Sequence, residues 1–386
     1  MISMNELTAT PLVSVVLTTY NGEGFLEEQL DSLFEQTYSP IEVIVVDDGS
    51  HDNTLSILNR YAAAHSNMKV IANEVNLGFI KNFEKGCKLS QGALISLCDQ
   101  DDYWDKDKIK KMAEAIGEYP LIYCDSRLCD ENLQDLGRNI SDIVHNQDFD
   151  NCLQLAVMCR MYGHALMFSR SLFDKAYPFL EVIPHDWWLA FTATLNGGVK
   201  YLPEPLVWYR QHAANLFGVI GGKRKRGGAP GGDRPGIGIA EKENVPAEGG
   251  NAERRTAEGT KAEGRMEAEG TTEGRNAEER NAPEEANAGT TGERSSKAKH
   301  SAKAEHSGSA GIRNRIGIFY ETCPDRLGKE KKVLGKLVKS YRSFSLPNNF
   351  RRMAVFFSNW DQLLTVKKYS IFRKYFFCLK MFIKIK

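Results

Sequence analysis

The sequence is poor in several features, and each absence excludes a class. Among its 386 residues no run of about 18 uninterrupted apolar residues occurs, so an ordinary membrane-spanning helix is not expected. The first strand-like run is followed by TTYNGEGF and not by G-x-G-x-x-G, and no G-x-x-x-x-G-K-[ST] is present; dinucleotide binding and a phosphate-cradling P-loop are both disfavoured. The eight cysteines (Cys87, Cys98, Cys124, Cys129, Cys152, Cys159, Cys323, Cys378) form no C-x-x-C pair, and several sit in apolar strand-like runs, as reduced core thiols of a cytosolic protein do. The opening MISMNELTATPL carries Glu6 and no basic segment ahead of an apolar one, so it does not read as a secretory signal. An excess charge of one sign is lacking too. Fifty Lys and Arg balance fifty Asp and Glu, which excludes a uniformly basic nucleic-acid binder.

That balance is a sum of unlike parts. Residues 1–217 hold 16 basic and 30 acidic side chains, residues 218–312 hold 16 of each, and residues 313–386 hold 18 basic against 4 acidic. The basic end is the kind of asymmetry that goes with a polyanionic partner such as an anionic membrane. A hydrophobic share of 42% with 26% charged residues is ordinary for a folded soluble protein, so the chain as a whole is neither collagenous nor wholly disordered.

From Leu12 the chain alternates buried-strand and helix patterns. LVSVVLTTY (12–20), IEVIVVDD (41–48), MKVIAN (68–73) and ALISLC (93–98) are short runs rich in β-branched residues, and the segments between them repeat apolar residues at helical spacing. Four β-α units in about 110 residues predict an α/β/α sandwich on a mostly parallel, Rossmann-like sheet. In such sheets ligands bind beyond the carboxyl ends of the strands, where TTYNGEG, DDGSHDN and DQDD all stand. Over 111–217, YPLIYCDS and GHALMFSR read as strands, HDWWLAFTATLNGG as a helix closed by glycines, and VKYLPEPLVWYRQH as an extended segment broken by two prolines.

At Gly218 the composition changes. Through Ile312 the chain is Gly, Ala, Glu, Arg, Asn and Thr without an aromatic residue, too little apolar surface to offset the entropy of ordering, and a disordered insertion is expected. In the basic, helical C-terminal region, Phe372, Tyr375, Phe376, Leu379 and Ile383 follow i, i+3/i+4 spacing among lysines and arginines. Two roles are open to that amphipathic tail: lying in the headgroup layer of an anionic membrane, or packing on the main domain with its lysines in water. The charge bias tips the reading toward the membrane.

Asp99, Asp101 and Asp102 crowd the end of a buried strand, where mutual repulsion is costly unless a cation offsets it. A hard divalent ion shared with phosphate oxygens and water fits such a group, while a solvated acidic turn is the plainer alternative. The set VSVVLTTYNG (13–22), IEVIVVDDGSHDNT (41–54), NLGF (76–79) and DQDDYW (99–104) resembles the nucleotide-binding half of the family 2 inverting glycosyltransferases of the GT-A fold. GHALMFSR (163–170), HDWW (185–188) and YRQHAAN (209–215) resemble the subgroup labelled rhamnosyltransferase-like. The resemblance covers roughly residues 12–217; the insertion departs from it.

The resemblance implies a domain over 1–217 that moves a sugar from a nucleoside-diphosphate donor to a hydroxyl of a glycan or lipid-linked saccharide, in cell-surface polysaccharide synthesis. It places Thr18, Tyr20 and Asp48 on the base and ribose and Asp99 near the ribose. A carboxylate at Asp48 suits the imide N–H of uracil or thymine, favouring UDP or dTDP. Asp101 is implied as the ligand of Mg2+ or Mn2+. Asp186 matches the position of the base that deprotonates the acceptor hydroxyl, a role its place at a helix start would support, though an ordinary N-cap fits there too. His212 would complete the metal shell or, with Arg210, stabilise the departing diphosphate. Asp102 and Trp187 are further candidates for diphosphate or acceptor contacts; Trp187 and Trp188 fit a core as readily. His164, His185 and Lys81 are weaker candidates, and Asp47 fits a turn-orienting role.

Two other classes compete: a nucleotidyltransferase on a related sheet, and a non-catalytic, membrane-associated assembly protein. Retention of Asp48, Asp99, Asp101 and Asp186 together argues against the latter. With the basic tail, the implied location is the cytoplasmic face of the cell membrane, with no nucleic-acid partner.

Overall fold

In the computed structural model, β1 (Val13–Thr19) is buried along almost its whole length, as a β-branched run covered on both faces must be. The structure describes residues 10–212, 215, 309–364, 375, 376 and 378. Most of the 218–312 segment and of the 369–386 tail therefore lies outside the described residues, and the described ones belong to one unit formed by 1–234 and 303–386.

After β1 come α1 (Leu26–Phe34), β2 (Ile41–Asp47), α2 (Thr54–Ala64), β3 (Met68–Ala72), α3 (Phe79–Leu89) and β4 (Leu94–Cys98). The four strands run parallel in the order β3-β2-β1-β4. Gly86 lets α3 press onto this sheet, since a Cβ there would lie 2.4 Å from Val16 Cγ1. The register pairs Thr19 with Asp47 and Leu17 with Cys98, so the three polar turns after β1, β2 and β4 emerge at one edge.

The second half adds β5 (Tyr103–Trp104), α4 (Lys108–Ala115), β6 (Leu121–Cys129), β7 (Asp135–Asn139), α5 (Ile140–Ile143), α6 (Leu153–Ala156), β8 (Leu166–Ser169), α7 (Arg170–Ala176), α8 (His185–Thr194) and β9 (Val199–Arg210). The sheet continues β4-β8-β6-β9-β5, with β7 on β6. Here β8 is antiparallel to β4 and β6, and β9 is parallel to β6 but antiparallel to β5, so the parallel pattern of the first half becomes mixed. The two prolines of β9 do not break it. Pro203 and Pro205 fall where its register against β6 shifts, bulges in which a missing ladder donor is tolerated.

The basic C-terminal region forms α9 (Ser309–Thr322), α10 (Gly328–Ser340), α11 (Leu346–Ser358) and α12 (Trp360–Leu363). These helices share one apolar core with α6 and α8: Phe319 stacks on Phe191 with ring centroids 3.9 Å apart, and Ile316, Leu334, Leu337 and Phe356 are buried in the same cluster. Over 313–364, then, packing on the domain is what the structure shows. Of the amphipathic tail only three residues are described; Tyr375 and Phe376 are exposed and Cys378 is buried. No described helix is long and apolar enough to cross a membrane. The cysteines are all free thiols.

Candidate active site

The DDGS turn after β2 is built by its own carboxylates. Asp47 accepts from the Gly49 and Ser50 amides and from Thr19 Oγ1 at 2.8 Å, which fastens the turn to the end of β1; it orients the turn. Asp48, 4% exposed, accepts from Asn73 Nδ2 (2.8 Å), Leu77 N (2.8 Å) and Gly78 N (2.9 Å), and so anchors the NLGF loop. Thr18 is half-buried at the end of β1 and Tyr20 is exposed on the following loop.

Gln100, a residue the sequence reading did not single out, ties that loop to the carboxylate turn. Its Oε1 accepts from the Tyr20 amide at 2.8 Å, and its Nε2 donates to the Tyr20 carbonyl at 3.2 Å.

The three carboxylates of DQDD fall into two imidazole pairings. Pairing of Tyr103 with Trp208 on β5 and β9 carries the end of β9 back along the turn, and His212 Nε2 lies 2.9 Å from Asp101 Oδ2. On the other side, β8 runs antiparallel to β4 with Ser96 opposite Met167, and continuing that register sets His164 opposite Asp99. His164 occupies a 3-10 turn (Gly163–Ala165); its Nδ1 stands 3.3 Å from Asp102 Oδ2 and 3.7 Å from Asp99 Oδ2, while Nε2 meets Ser126 Oγ at 3.0 Å. Asp102 is fully buried, so it has no face toward an open cleft where a diphosphate or acceptor contact was expected. Burial, then the charges of Asp101 and Asp99, push its carboxyl well above the ordinary carboxylate range.

A divalent cation fits these residues. Ligand atoms of Asp99, Asp102 and His164 lie within 4.8 Å of one another, and among the described residues Asp102 Oδ2, though near His164 Nδ1, is a buried oxygen that accepts no hydrogen bond. Two carboxylates and an imidazole are a donor set for hard or borderline ions. His164, read as a weak candidate, is thus in the cluster. Beneath it lies the fully buried Lys108, whose Nζ donates to the His164 carbonyl at 2.8 Å and sits 3.0 Å from the Trp104 ring centroid; burial lowers this amine to about 8.

Arg210 is not available to a diphosphate. Its guanidinium is buried, donating to the Asp101 carbonyl (2.9 Å), the Glu131 carbonyl and the Glu28 carboxylate, over the Phe25 ring. It holds the carboxylate turn, helped by its backbone amide on Asp102 Oδ1. Lys81 likewise pairs with Glu84 and the Phe179 carbonyl.

Asp186 is a residue of the first turn of α8, whose N-cap is Pro184, so the helix starts before it and it is not the N-cap. Its Oδ1 accepts from the Trp187 amide at 2.7 Å. Trp187 faces the core and not a sugar: Nε1 donates to the Leu155 carbonyl, and its ring packs on Arg315 and Phe319 of α9. His185 is buried among Phe79, Phe83 and Phe179.

The polar turns and the carboxylate–imidazole groups gather at the strand ends, where ligands bind in such sheets. Residues 14–176 match the profile described as glycosyl transferase family 2. An uncharacterized glycosyltransferase of Haemophilus influenzae is 30% identical over 225 residues, 54% of this chain and 68% of that protein. The dTDP-rhamnosyl transferase RfbG of Shigella flexneri is 31% identical over 218 residues, 53% of this chain and 74% of that protein. Other curated relatives, such as an uncharacterized Mycobacterium tuberculosis protein, are spanned over only 60% of their length. Among solved structures, S. aureus TarS in complex with UDP is similar at 25% identity over 51% of this chain and 60% of that one, with a TM-score of 0.42. The chain belongs to glycosyltransferase family 2, a family of sugar-transferring enzymes.

Proposed function

We propose that this chain transfers a sugar from a UDP- or dTDP-linked donor to a hydroxyl of a glycan or lipid-linked saccharide, with inversion at the anomeric carbon. The observation that carries the reading is the meeting of Asp99, Asp101 and Asp102 with His164 and His212 where β1, β2 and β4 end. Thr18, Tyr20, Asp48 and Asp99 bind the nucleoside; Asp48 uses Oδ2, which takes one backbone donor, to accept a further N–H. The relative named a dTDP-rhamnosyl transferase supports a pyrimidine donor.

Mg2+ or Mn2+, held by Asp101 and His212 with Asp99, Asp102 and His164 beside them, would supply charge neutralisation for the departing diphosphate. The chain's own residues do the rest. Arg210 fixes the position of the Asp101 carbonyl, Gln100 fixes the Tyr20 loop, and Asp186, in the first turn of α8, takes the proton of the acceptor hydroxyl as it attacks. In this reading 1–217 is the catalytic domain, 218–312 an insertion and 313–386 a C-terminal region. The basic tail holds the enzyme at an anionic membrane on the cytoplasmic side, where surface polysaccharide precursors are built.

The test is incubation with UDP- and dTDP-sugars with and without Mn2+, reading nucleoside diphosphate release. Metal-dependent release that Asp101→Asn abolishes is the expected result; release indifferent to both metal and Asp101 overturns it.

A further inference from the structure

Thirteen large apolar side chains stand exposed among the described residues, and six of them, Tyr320, Leu346, Phe350, Phe357, Tyr375 and Phe376, belong to the C-terminal region. Exposed apolar groups scattered singly need no explanation, but three of these share one helix face. Leu346, Phe350 and Phe357 are 65%, 55% and 53% exposed and stand at i, i+4 and i+11 on α11. At about 100° of turn per residue, that spacing confines them to about 40° of the helix surface. Ala354 is exposed beside them. The opposite face of α11 is the one that meets the core. Val355 and Phe356 are buried there, and Arg352, also buried, donates to the Ser340 carbonyl at 2.6 Å and ties α11 to the end of α10. An amphipathic helix is complete once its single apolar face is packed. α11 carries a second apolar stripe, on the side turned away from the domain.

The charges around that stripe decide what covers it. Arg342, four residues before Leu346, and Arg351, next in sequence to Phe350, are both exposed. On α10, Lys329, Lys332, Lys336 and Lys339 are exposed at i, i+3, i+7 and i+10, one face of that helix. From Gly328 to Ser358 the chain holds eight basic residues and one acidic, Glu330. A second copy of the chain seated on the stripe would bring like charges together, which opposes association. Anionic phospholipid supplies the opposite charge and an apolar layer directly beneath it.

We propose that the outer face of α11 is a docking surface for an anionic membrane. Leu346, Phe350 and Phe357 enter the boundary between headgroups and acyl chains, and Arg342 and Arg351 keep their guanidiniums at the lipid phosphates. The lysines of α10 add attraction that reaches about 8–10 Å through physiological salt. The proposal rests on the membrane location read above, and adds to the basic tail an apolar anchor on a helix that the domain core already holds. Because α11 is folded before it docks, no ordering of that helix opposes binding.

The experiment is flotation of the full chain with two vesicles, one of phosphatidylcholine and one of phosphatidylcholine and phosphatidylglycerol in equal parts. The wild type is expected to float with the anionic vesicle and to be released by salt. Leu346→Gln combined with Phe357→Gln should weaken that partition about tenfold or more. Arg342→Gln combined with Arg351→Gln should weaken it by a similar factor and flatten its salt dependence. Both double variants change exposed side chains, so melting temperature should match the wild type. Wild-type partition of the Leu346 and Phe357 double variant overturns the proposal while leaving the tail as the anchor. Absence of wild-type flotation with the anionic vesicle overturns both the proposal and the membrane location. A lipid-free dimer that the same variant dissociates, read by light scattering, gives the face to a second copy and overturns the proposal as well. Should that variant fail to fold, Leu346→Gln alone and the arginine pair decide. Nucleoside diphosphate release without vesicles, measured on the same proteins, tests the transferase reading separately.

Discussion

Gln100 closes over Gly22: a Cβ at residue 22 would lie 2.3 Å from the Gln100 Oε1 that accepts the Tyr20 amide. Gly22→Ala must push that carboxamide aside and loosen the Tyr20 loop. Because the displaced atoms are the end of a flexible side chain, the fold survives. The donor KM is expected to rise about tenfold, ~1.4 kcal/mol, with little change in melting temperature. Adding Gln100→Ala to Gly22→Ala should leave KM close to that of Gln100→Ala alone, since both act on one contact. Steady-state kinetics on the four proteins check this, and additive effects would refute it.

Asp101→Asn and His164→Ala separate the two carboxylate–imidazole groups. If Asp101 and His212 carry the ion, Asp101→Asn lowers kcat/KM by about 100-fold or more, a loss typical of a group stabilising transition-state charge. His164→Ala then raises the Mn2+ concentration needed for half-maximal activity by about 10-fold to 100-fold, as removal of supporting groups around a metal does. Manganese titrations of activity distinguish the patterns; the reverse order would move the ion to Asp99, Asp102 and His164.

The raised Asp102 carboxyl gives a pH dependence with a definite sign. Burial and the charges of Asp101 and Asp99 disfavour its ionised form in the fold, so above pH ~4 the unfolded chain holds fewer protons than the folded one. Metal-free protein should therefore lose stability as pH rises from ~4 toward the folded-state value, and Asp102→Asn should flatten that slope. A divalent ion favours the ionised carboxyl, so the melting shift caused by Mn2+ should grow between pH 5 and pH 8. Parallel melting curves for wild type and Asp102→Asn in EDTA would refute the assignment.

Asp186→Asn keeps an oxygen that can accept the Trp187 amide, so folding is expected to be unchanged. Loss of a general base costs about 100-fold to 10,000-fold. That drop should appear in kcat with the donor KM nearly unchanged; a variant that retains wild-type kcat removes Asp186 from the mechanism.

Phe319→Ala removes a ring stacked on Phe191 inside the shared core and is expected to cost about 3–5 kcal/mol, read by urea denaturation. A loss below about 1 kcal/mol would mean that α9 contributes little to the domain.

The first half of the fold was legible because its signals are local. Four β-branched runs with helical periodicity between them specify parallel strands, and the turn residues Asp47, Asp48 and Asp99 follow from where those strands end. The second half was less so. His164 reaches Asp99 through antiparallel pairing of β8 with β4, and that order of strands leaves no mark within GHALMFSR itself. His212 lies beside Asp101 at the end of its YRQH motif, but the burial of Arg210, two residues earlier, depends on Glu28 of α1, 182 positions away. The sequence around Trp187 suits a core or a sugar face equally, and the packing of Phe319 of α9 on its ring decides for the core. Gln100 stands inside the DQDD motif, but its two hydrogen bonds to Tyr20, 80 positions away, and the close approach of Gly22 that permits them exist only in the folded chain.

The stacking of Phe319 on Phe191 has a consequence for how the protein is made. The face of α8 that bears Phe191 and Trp187 is finished long before the helix that covers it, with about a hundred residues of poorly apolar sequence intervening. At about 5–20 residues per second, a nascent chain waits on the order of 5–20 s with that face bare. Each chain therefore spends those seconds exposed to premature association, and a holding chaperone, or fewer chains in synthesis at once, would raise the yield of folded protein.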